Sequence, residues 1–233
     1  MAFGADTNAH TSFRETVYKL ELPPGPDGRA PEATTLLDGL RMLRDVADGM
    51  LIAPAEVDKE RGIILSEKLA RDTTQSRIME EGLKFQLPDH RIANRLPIGL
   101  EAVISTAPAE RLQEFYRRFY TPDRMVLVAV GAVDGPQLRA QIGEVFGSLA
   151  AGEPAPDPPF GSLATGRGIT TKAHVEKEAG HATVSFAVAR DTKPSADSAA
   201  VRRGELVRDL ATRMVTRRLE VLTKEENAPI LDG

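Results

Sequence analysis

Apolar and polar residues alternate from Thr16 to Leu22. Thr16, Tyr18, Leu20 and Leu22 fall on one side of an extended chain, and Val17, Lys19 and Glu21 on the other. A period of two reads as a half-buried strand. The turn-type residues Gly4, Asp6 and Asn8, followed by Thr11, Ser12 and Phe13, make the opening segment β structure as well. The Pro- and Gly-rich run at 23–28 ends it. The period then changes. Leu36, Leu37, Leu40, Leu43, Ala47, Met50 and Leu51 recur at helical spacing and predict an amphipathic helix over 33–51. Pro54 separates it from a second helix, which starts near Ala55 and runs to Arg71 or beyond. Residues 78–87 predict a third, and Pro108 opens a fourth, which contains Leu112, Phe115, Tyr116, Phe119 and Tyr120.

Residues 125–130, MVLVAV, are a continuous apolar run that predicts a buried central strand, with a short helix over 137–146 packing back on it. Residues 151–168 are rich in Pro and Gly and read as a linker. A strand over 182–189 and a charged amphipathic helix using Leu206, Leu210, Met214, Val215, Leu219 and Leu222 follow. Strands and helices mix without regular βαβ alternation, which predicts an α+β fold with helices on one side of a sheet.

Composition narrows the function classes. The 233 residues suffice for one large domain or two small ones, with 41% hydrophobic and 27% charged residues. The net charge of -4, with acids and bases interspersed, points to no nucleic-acid partner and no anionic membrane surface. No apolar run approaches the roughly 20 residues that cross a bilayer, so no membrane span is expected. Cysteine is absent, which excludes thiolate metal sites, a disulfide framework and a Cys nucleophile. There is no Gly-x-Ser-x-Gly elbow and no phosphate-binding glycine loop.

The most informative segment is EVDKERGIILSEKLARD, residues 56–72. On a helical wheel Val57, Glu60, Ile64, Glu67 and Arg71 share one face, with Glu60 and Glu67 two turns apart. Two carboxylates in an inward stripe call for cations, hydrogen bonds or a metal, and a carboxylate oxygen is an acceptable zinc ligand. By spacing alone, a solvated or salt-bridged face is the commoner reading, because surface Glu in helices is common. At Asn8, Ala9 and His10, a short polar strand at a sheet edge could take an extended peptide by β-augmentation, or could be an ordinary strand. The histidines His10, His90, His174 and His181 form no His-Glu-x-x-His or His-x-x-Glu-His pair.

Taken in order, three segments resemble the pitrilysin/insulinase family of zinc metallopeptidases. FGADTNAHTSFRETVYKLELP is similar to the family's segment just after its catalytic helix, where an Asn-Ala pair holds peptide on an edge strand. EVDKERGIILSEKLARD resembles its glutamate helix. RLPIGLEAVISTAPAERLQEFYRRFYTPDRMVLVAVGAVD resembles its helix, Tyr-x-Pro-x-x-Met, apolar strand and Gly-x-Val-Asp, with Ala132 where the family often has Asp. The likeness covers residues 3–149 and continues more loosely beyond.

The resemblance implies a mainly antiparallel sheet with helices packed on one side, the LuxS/MPP-like fold. That sheet would be incomplete, because the strands preceding Phe3 are missing. It implies Glu67 as a zinc ligand, Glu60 as the support of the metal site, and Asn8, Ala9 and His10 as the peptide-binding strand. The family's His-x-x-Glu-His motif, which supplies two ligands and the general base, is not in this sequence. The chain is therefore expected to be a fragment of the N-terminal half: 1–149 a partial peptidase domain, 150–168 a linker, and 169–233 the start of the following subdomain. By itself it is expected to be inactive and to bind Zn2+ weakly or not at all. Its expected partners are a polypeptide substrate, the homologous half or a partner subunit, and a second copy through the open sheet edge. The alternative is a non-catalytic peptide-binding or structural subunit of the same family. The compartment is left open between periplasm and cytoplasm.

Overall fold

β1 (Asp6–Thr11) and β2 (Thr16–Glu21) form an antiparallel hairpin, with Asp6 opposite Glu21 and Thr11 opposite Thr16. The structure, a computed structural model, describes residues 4–152, 156–163, 168–189, 195–224 and 227–228. These fall into two units, Met1–Ala189 and Arg190–Gly233. The first unit continues with α1 (Ala33–Asp48), α2 (Pro54–Ala70), α3 (Thr74–Gln86), α4 (Glu101–Thr106), α5 (Ala109–Phe119) and α6 (Gly135–Phe146). The second holds α7 (Ala199–Leu222). The architecture is thus α+β, mostly helical among the described residues, with a two-stranded antiparallel sheet.

The helices start where the sequence offers caps. Pro54 occupies the first turn of α2, where its missing N–H removes nothing. Thr73 and Ser76 form a reciprocal capping box that starts α3 at Thr74, ahead of the 78 expected from periodicity alone. Asp134 caps α6 by accepting from the Gln137 N–H at 2.8 Å. α4 carries too short an apolar pattern to be read from spacing.

The hairpin lies on α1. The Cα of Gly39 comes so close to β2 that a Cβ there would stand 3.2 Å from a Leu20 methyl, and 3.0 Å from a methyl of Leu22 just past the strand. α1 also packs with α6, where the Gln141 side-chain amide donates to the Ala33 carbonyl at 3.1 Å. The buried side chains include Leu40, Ala47, Val57, Ala93, Ala109 and Tyr116, and none among the described residues is fully sequestered.

Polar tethers complete the packing. The Tyr116 hydroxyl donates to the Val46 carbonyl at 2.7 Å and accepts from the Met50 N–H at 3.4 Å. Gln113 donates to the Ile52 carbonyl at 3.2 Å. Ile52 has φ 46, a left-handed conformation that a β-branched residue rarely adopts, and these anchors on α5 hold it there. Tyr18 of β2 shares a 2.7 Å hydroxyl–hydroxyl hydrogen bond with Tyr120, just past α5. Burial and that bond push the Tyr18 hydroxyl well above its ordinary pKa.

The expected central strand differs. Residues 125–130 form no ladder with any described residue. Val126, Val128 and Val130 are 88%, 73% and 93% exposed, whereas Leu127 on the other side is 38% exposed. The period of two persists in the exposure pattern, but a strand exists only where a neighbour takes its N–H and C=O groups. The same holds for 182–189, whose Val184 and Phe186 are exposed. The sheet expected from the apolar runs, mainly antiparallel as the resemblance implies, is therefore reduced, among the described residues, to the hairpin.

Before that second apolar run, the chain follows α3 through alternating charges. Lys172 bonds Glu81 at 2.7 Å. Glu176 and Glu178 bond the Arg77 guanidinium at 3.1 and 2.9 Å, and Arg77 also holds Asp72. His174 bonds Glu176 at 2.9 Å. Alternate residues of an extended segment thus meet positions 77 and 81 of one helix face.

In the second unit, Ser198 caps α7 and Asp197 makes a fork-to-fork pair with Arg202. Leu206, Leu210 and Met214 of α7 are exposed.

Two measurements check these tethers. Tyr116→Phe removes the donor to Val46 and is expected to lower the unfolding free energy by about 1 kcal/mol in urea denaturation. Lys172, then Lys84, hold the Glu81 carboxyl at about 2. Because its folded pKa is depressed, its contribution to stability is complete above the ordinary carboxylate range and is lost as pH falls through about 2. An NMR titration is expected to place the Glu81 midpoint near 2, and Lys172→Ala to move it upward.

Candidate functional site

α2 presents its two faces very differently. Val57 is buried, and Arg61, Ile64 and Lys68 are half-buried. Glu60, Ile63 and Glu67 are exposed. The inward stripe is therefore 57, 61, 64 and 68, not the stripe through Glu60, Glu67 and Arg71 drawn from the sequence. The physical reason lies in the partners available. The Arg61 guanidinium donates to the Ile104 and Ala107 carbonyls at the end of α4, and to Asp58 at 3.0 Å. Lys68 donates to the Gly99 carbonyl at 3.4 Å. Main-chain carbonyls accept from cations and cannot accept from carboxylates, so the cations turn inward and the glutamates outward.

Glu67 pairs with Arg71, one turn on, at 2.5 Å. Both side chains are well exposed, so the pair contributes little to stability. Glu60 makes no ion pair among the described residues. The acid-before-base spacing of four was the sequence signal for the Glu67–Arg71 pair. Arg61 and Lys68 carried a signal too, since they share the Val57–Ile64 stripe seven residues apart, but charged residues in a stripe do not announce their acceptors.

The second predicted group sits on the hairpin. Asn8, Ala9 and His10 are exposed on β1, whose only partner among the described residues is β2. The Ser12 N–H donates to the Glu15 carbonyl at 2.8 Å, which marks that pair as hydrogen-bonded. Alternation then directs the main-chain groups of Asn8 and His10 toward β2 and those of Thr7, Ala9 and Thr11 outward. Consistent with this, the Ala9 N–H is held by the Asn8 side-chain oxygen at 2.8 Å. The edge therefore offers a row of outward main-chain groups, one of them capped by a rotatable side chain.

Two of the remaining histidines take local roles. His90 accepts from the Ile92 N–H and stacks on Phe160, and His174 bonds Glu176. The described residues contain no group of three or more His, Cys, Asp or Glu placed to hold a metal.

Comparison with known proteins gives this geometry its context. Residues 106–201 match the family described as the Peptidase M16 inactive domain. The chain is 31% identical over 155 residues to the probable zinc protease PqqL of Escherichia coli (strain K12), covering 66% of this chain and 16% of that protein. It is also 31% identical to the chloroplastic stromal processing peptidase of Oryza sativa subsp. japonica, over 70% of this chain and 13% of the relative. The crystal structure of the first half of the periplasmic protease PqqL from Escherichia coli superimposes with a TM-score of 0.60 at 30% identity, covering 68% of this chain and 32% of that one.

The chain belongs to the M16, or pitrilysin, family of zinc proteases.

It spans about a sixth or less of the curated M16 relatives named above. No helix among its described residues is long and apolar enough to cross a membrane. Zinc is in the names of M16 relatives. A catalytic zinc takes three nitrogen, oxygen or sulfur side-chain ligands and keeps one position open. Glu67 suits one oxygen ligand, being exposed and held by a single surface arginine. The described residues do not complete the set.

Because Glu67 meets only an exposed arginine, Glu67→Gln in this chain is expected to change the unfolding free energy by no more than about 0.5 kcal/mol. Chemical denaturation of the two proteins side by side measures it. A loss of several kcal/mol would mean that the carboxylate holds the fold rather than a function.

Proposed function

We propose that this chain is part of a zinc-dependent metalloendopeptidase of the M16 family. In it Glu67 is one metal ligand, Glu60 supports the metal site, and the β1 edge at Asn8, Ala9 and His10 takes the peptide as an added strand. One observation carries the reading: Glu60 and Glu67 stand two turns apart on the solvent-facing side of a helix whose other side is fastened. Carboxylates without a structural task on an otherwise anchored helix are free for a ligand. In sites of this kind the ion supplies a nucleophilic water. The general base and the other ligands would come from a His-x-x-Glu-His segment outside this sequence.

The finer fold follows the same proposal. Residues 1–149 are part of a peptidase domain of LuxS/MPP-like type, 150–168 a linker and 169–233 part of the next subdomain. The exposed valines of 125–130 would then be covered by a further part of a longer polypeptide, by the homologous half or partner subunit, or by a second copy along the sheet edge. The substrate is polypeptide, and the periplasm named for the Escherichia coli relative is the compartment this reading favours.

A second reading has its own support. The family matched over 106–201 is described as an inactive domain. The chain would then be a non-catalytic peptide-binding or structural subunit.

The test uses a polypeptide that carries both this sequence and a His-x-x-Glu-His segment. Glu67→Gln is expected to abolish zinc content and peptide hydrolysis. Glu60→Gln is expected to lower activity by roughly 10–100-fold with smaller loss of metal, as outer-shell changes do. The 233-residue chain alone is expected to hydrolyse nothing. Full zinc occupancy and rate in Glu67→Gln would remove Glu67 from the metal site, whereas no zinc-dependent hydrolysis by the unsubstituted polypeptide would leave the subunit reading.

A further inference from the structure

Each of the two glutamates is followed at once by a cation: Glu60 by Arg61, and Glu67 by Lys68. The cations, like the glutamates, are seven residues apart. Two turns of helix bring such residues back to within about 20° of each other, and neighbouring residues differ by about 100°. Whatever fixes the direction of Arg61 and Lys68 therefore fixes the direction of Glu60 and Glu67.

The fixing groups are specific. α4 runs beside α2, and the two cations reach it at opposite ends. Arg61 donates through both terminal nitrogens to the Ile104 and Ala107 carbonyls, where α4 ends and its last carbonyls lack helical partners. The remaining nitrogen of its fork donates to Asp58, one turn back, at 3.0 Å. Lys68 reaches the Gly99 carbonyl, just before α4 begins. Gly99 has φ 87, a left-handed turn that suits glycine. Only about 20% of the Arg61 side chain is exposed. The apolar contribution of α2 cannot do this work alone. Val57 is its single buried residue, while Ile63 and Leu69 lie in solvent.

We infer that Arg61 and Lys68 are positioning residues: a two-point clamp on α4 that sets the rotation of α2 and so aims Glu60 and Glu67 in one direction. The functional consequence rests on the proposed role of those glutamates. The clamp itself does not, since it is a statement about the rotation of one helix against another. Arg61 matters more than Lys68, because a planar fork bonding two fixed carbonyls defines an angle, whereas an ammonium on a flexible stem defines only a distance.

The absence of native cysteine makes the rotation measurable in the full chain. Spin labels at Ile63→Cys, between the two glutamates on the outward face, and at Glu101→Cys on α4 report it by pulsed electron resonance. The parent pair is expected to give one narrow distance peak. Arg61→Ala with Lys68→Ala is expected to lose that single peak for a broad or displaced distribution, Arg61→Lys to fall between, and Lys68→Ala alone to change it least. Val57→Ala, one turn before Arg61 and equally part of the inward stripe, is the control for mere destabilisation. It should lower the melting temperature and keep the narrow peak. If the doubly substituted protein does not fold, Arg61→Gln, which keeps one donor without the charge, carries the same comparison. A single narrow peak at the parent distance in the Arg61 variants would overturn the clamp. Loss of the peak in Val57→Ala to the same extent would reduce both cations to ordinary structural residues. Neither result bears on whether Glu67 holds zinc, which the metal content of the longer polypeptide decides separately.

Discussion

Hydrogen bonds from side chains to main-chain carbonyls hold this protein's helices in their orientations, and they do so because its apolar interior is small. Apolar burial is non-directional, so a helix that buries one valine is free to roll about its axis. A donor that ends on a fixed carbonyl removes that freedom. Tyr116 on Val46, Gln113 on Ile52, Arg61 on Ile104 and Ala107, and Lys68 on Gly99 are all of this type. Most of the acceptors lie at helix ends or turns, where carbonyls have no partner within their own helix. Each tether satisfies an acceptor that would otherwise need water and at the same time sets an angle.

The arrangement separates two duties along α2. Its inward cations carry orientation, and its outward carboxylates carry no task that the fold needs. A helix built the other way, with glutamates inward, would need buried cations opposite them and would tie any ligand chemistry to stability. The hairpin shows a similar division. β2 faces α1 and shares the Tyr18–Tyr120 bond, while β1 bears neither load and keeps its outward main-chain groups. Both predicted site groups therefore sit on the unburdened side of an element whose opposite side is anchored.

The M16 relationship fits this division unevenly. The family match covers 106–201, which begins at the last residue of α4 and includes α5, α6 and the apolar segment at 125–130. Glu60, Glu67 and the β1 edge lie before it. Their assignment rests on the resemblance of their own segments and on the exposed geometry of α2 and β1. The apolar segments at 125–130 and 182–189 are the counterpart. They carry strand periodicity without strand partners among the described residues.

The order and type of most helices and of the hairpin were written in the sequence. Period-two alternation gave β2, helical spacing gave α1, α2, α5 and α6 to within a few residues, and α7 followed from its leucine pattern, because local periodicity is a property of consecutive residues. That Glu60 and Glu67 share one helix face was legible for the same reason, whereas the Asn8–His10 strand was read from its residue types and its place before β2. The short α4 and the start of α3 were not, since six residues show too little periodicity and a Thr73–Ser76 cap is a side-chain event. Tertiary structure alone decided the rotation of α2. A helical wheel gives the angles between residues and leaves the zero of rotation undefined. That zero was set by carbonyls in and flanking α4, 31 to 46 residues further along, which accept from Arg61 and Lys68. The fate of 125–130 was decided in the same way, because an apolar run states that a segment wants a neighbour and only the assembled chain supplies one.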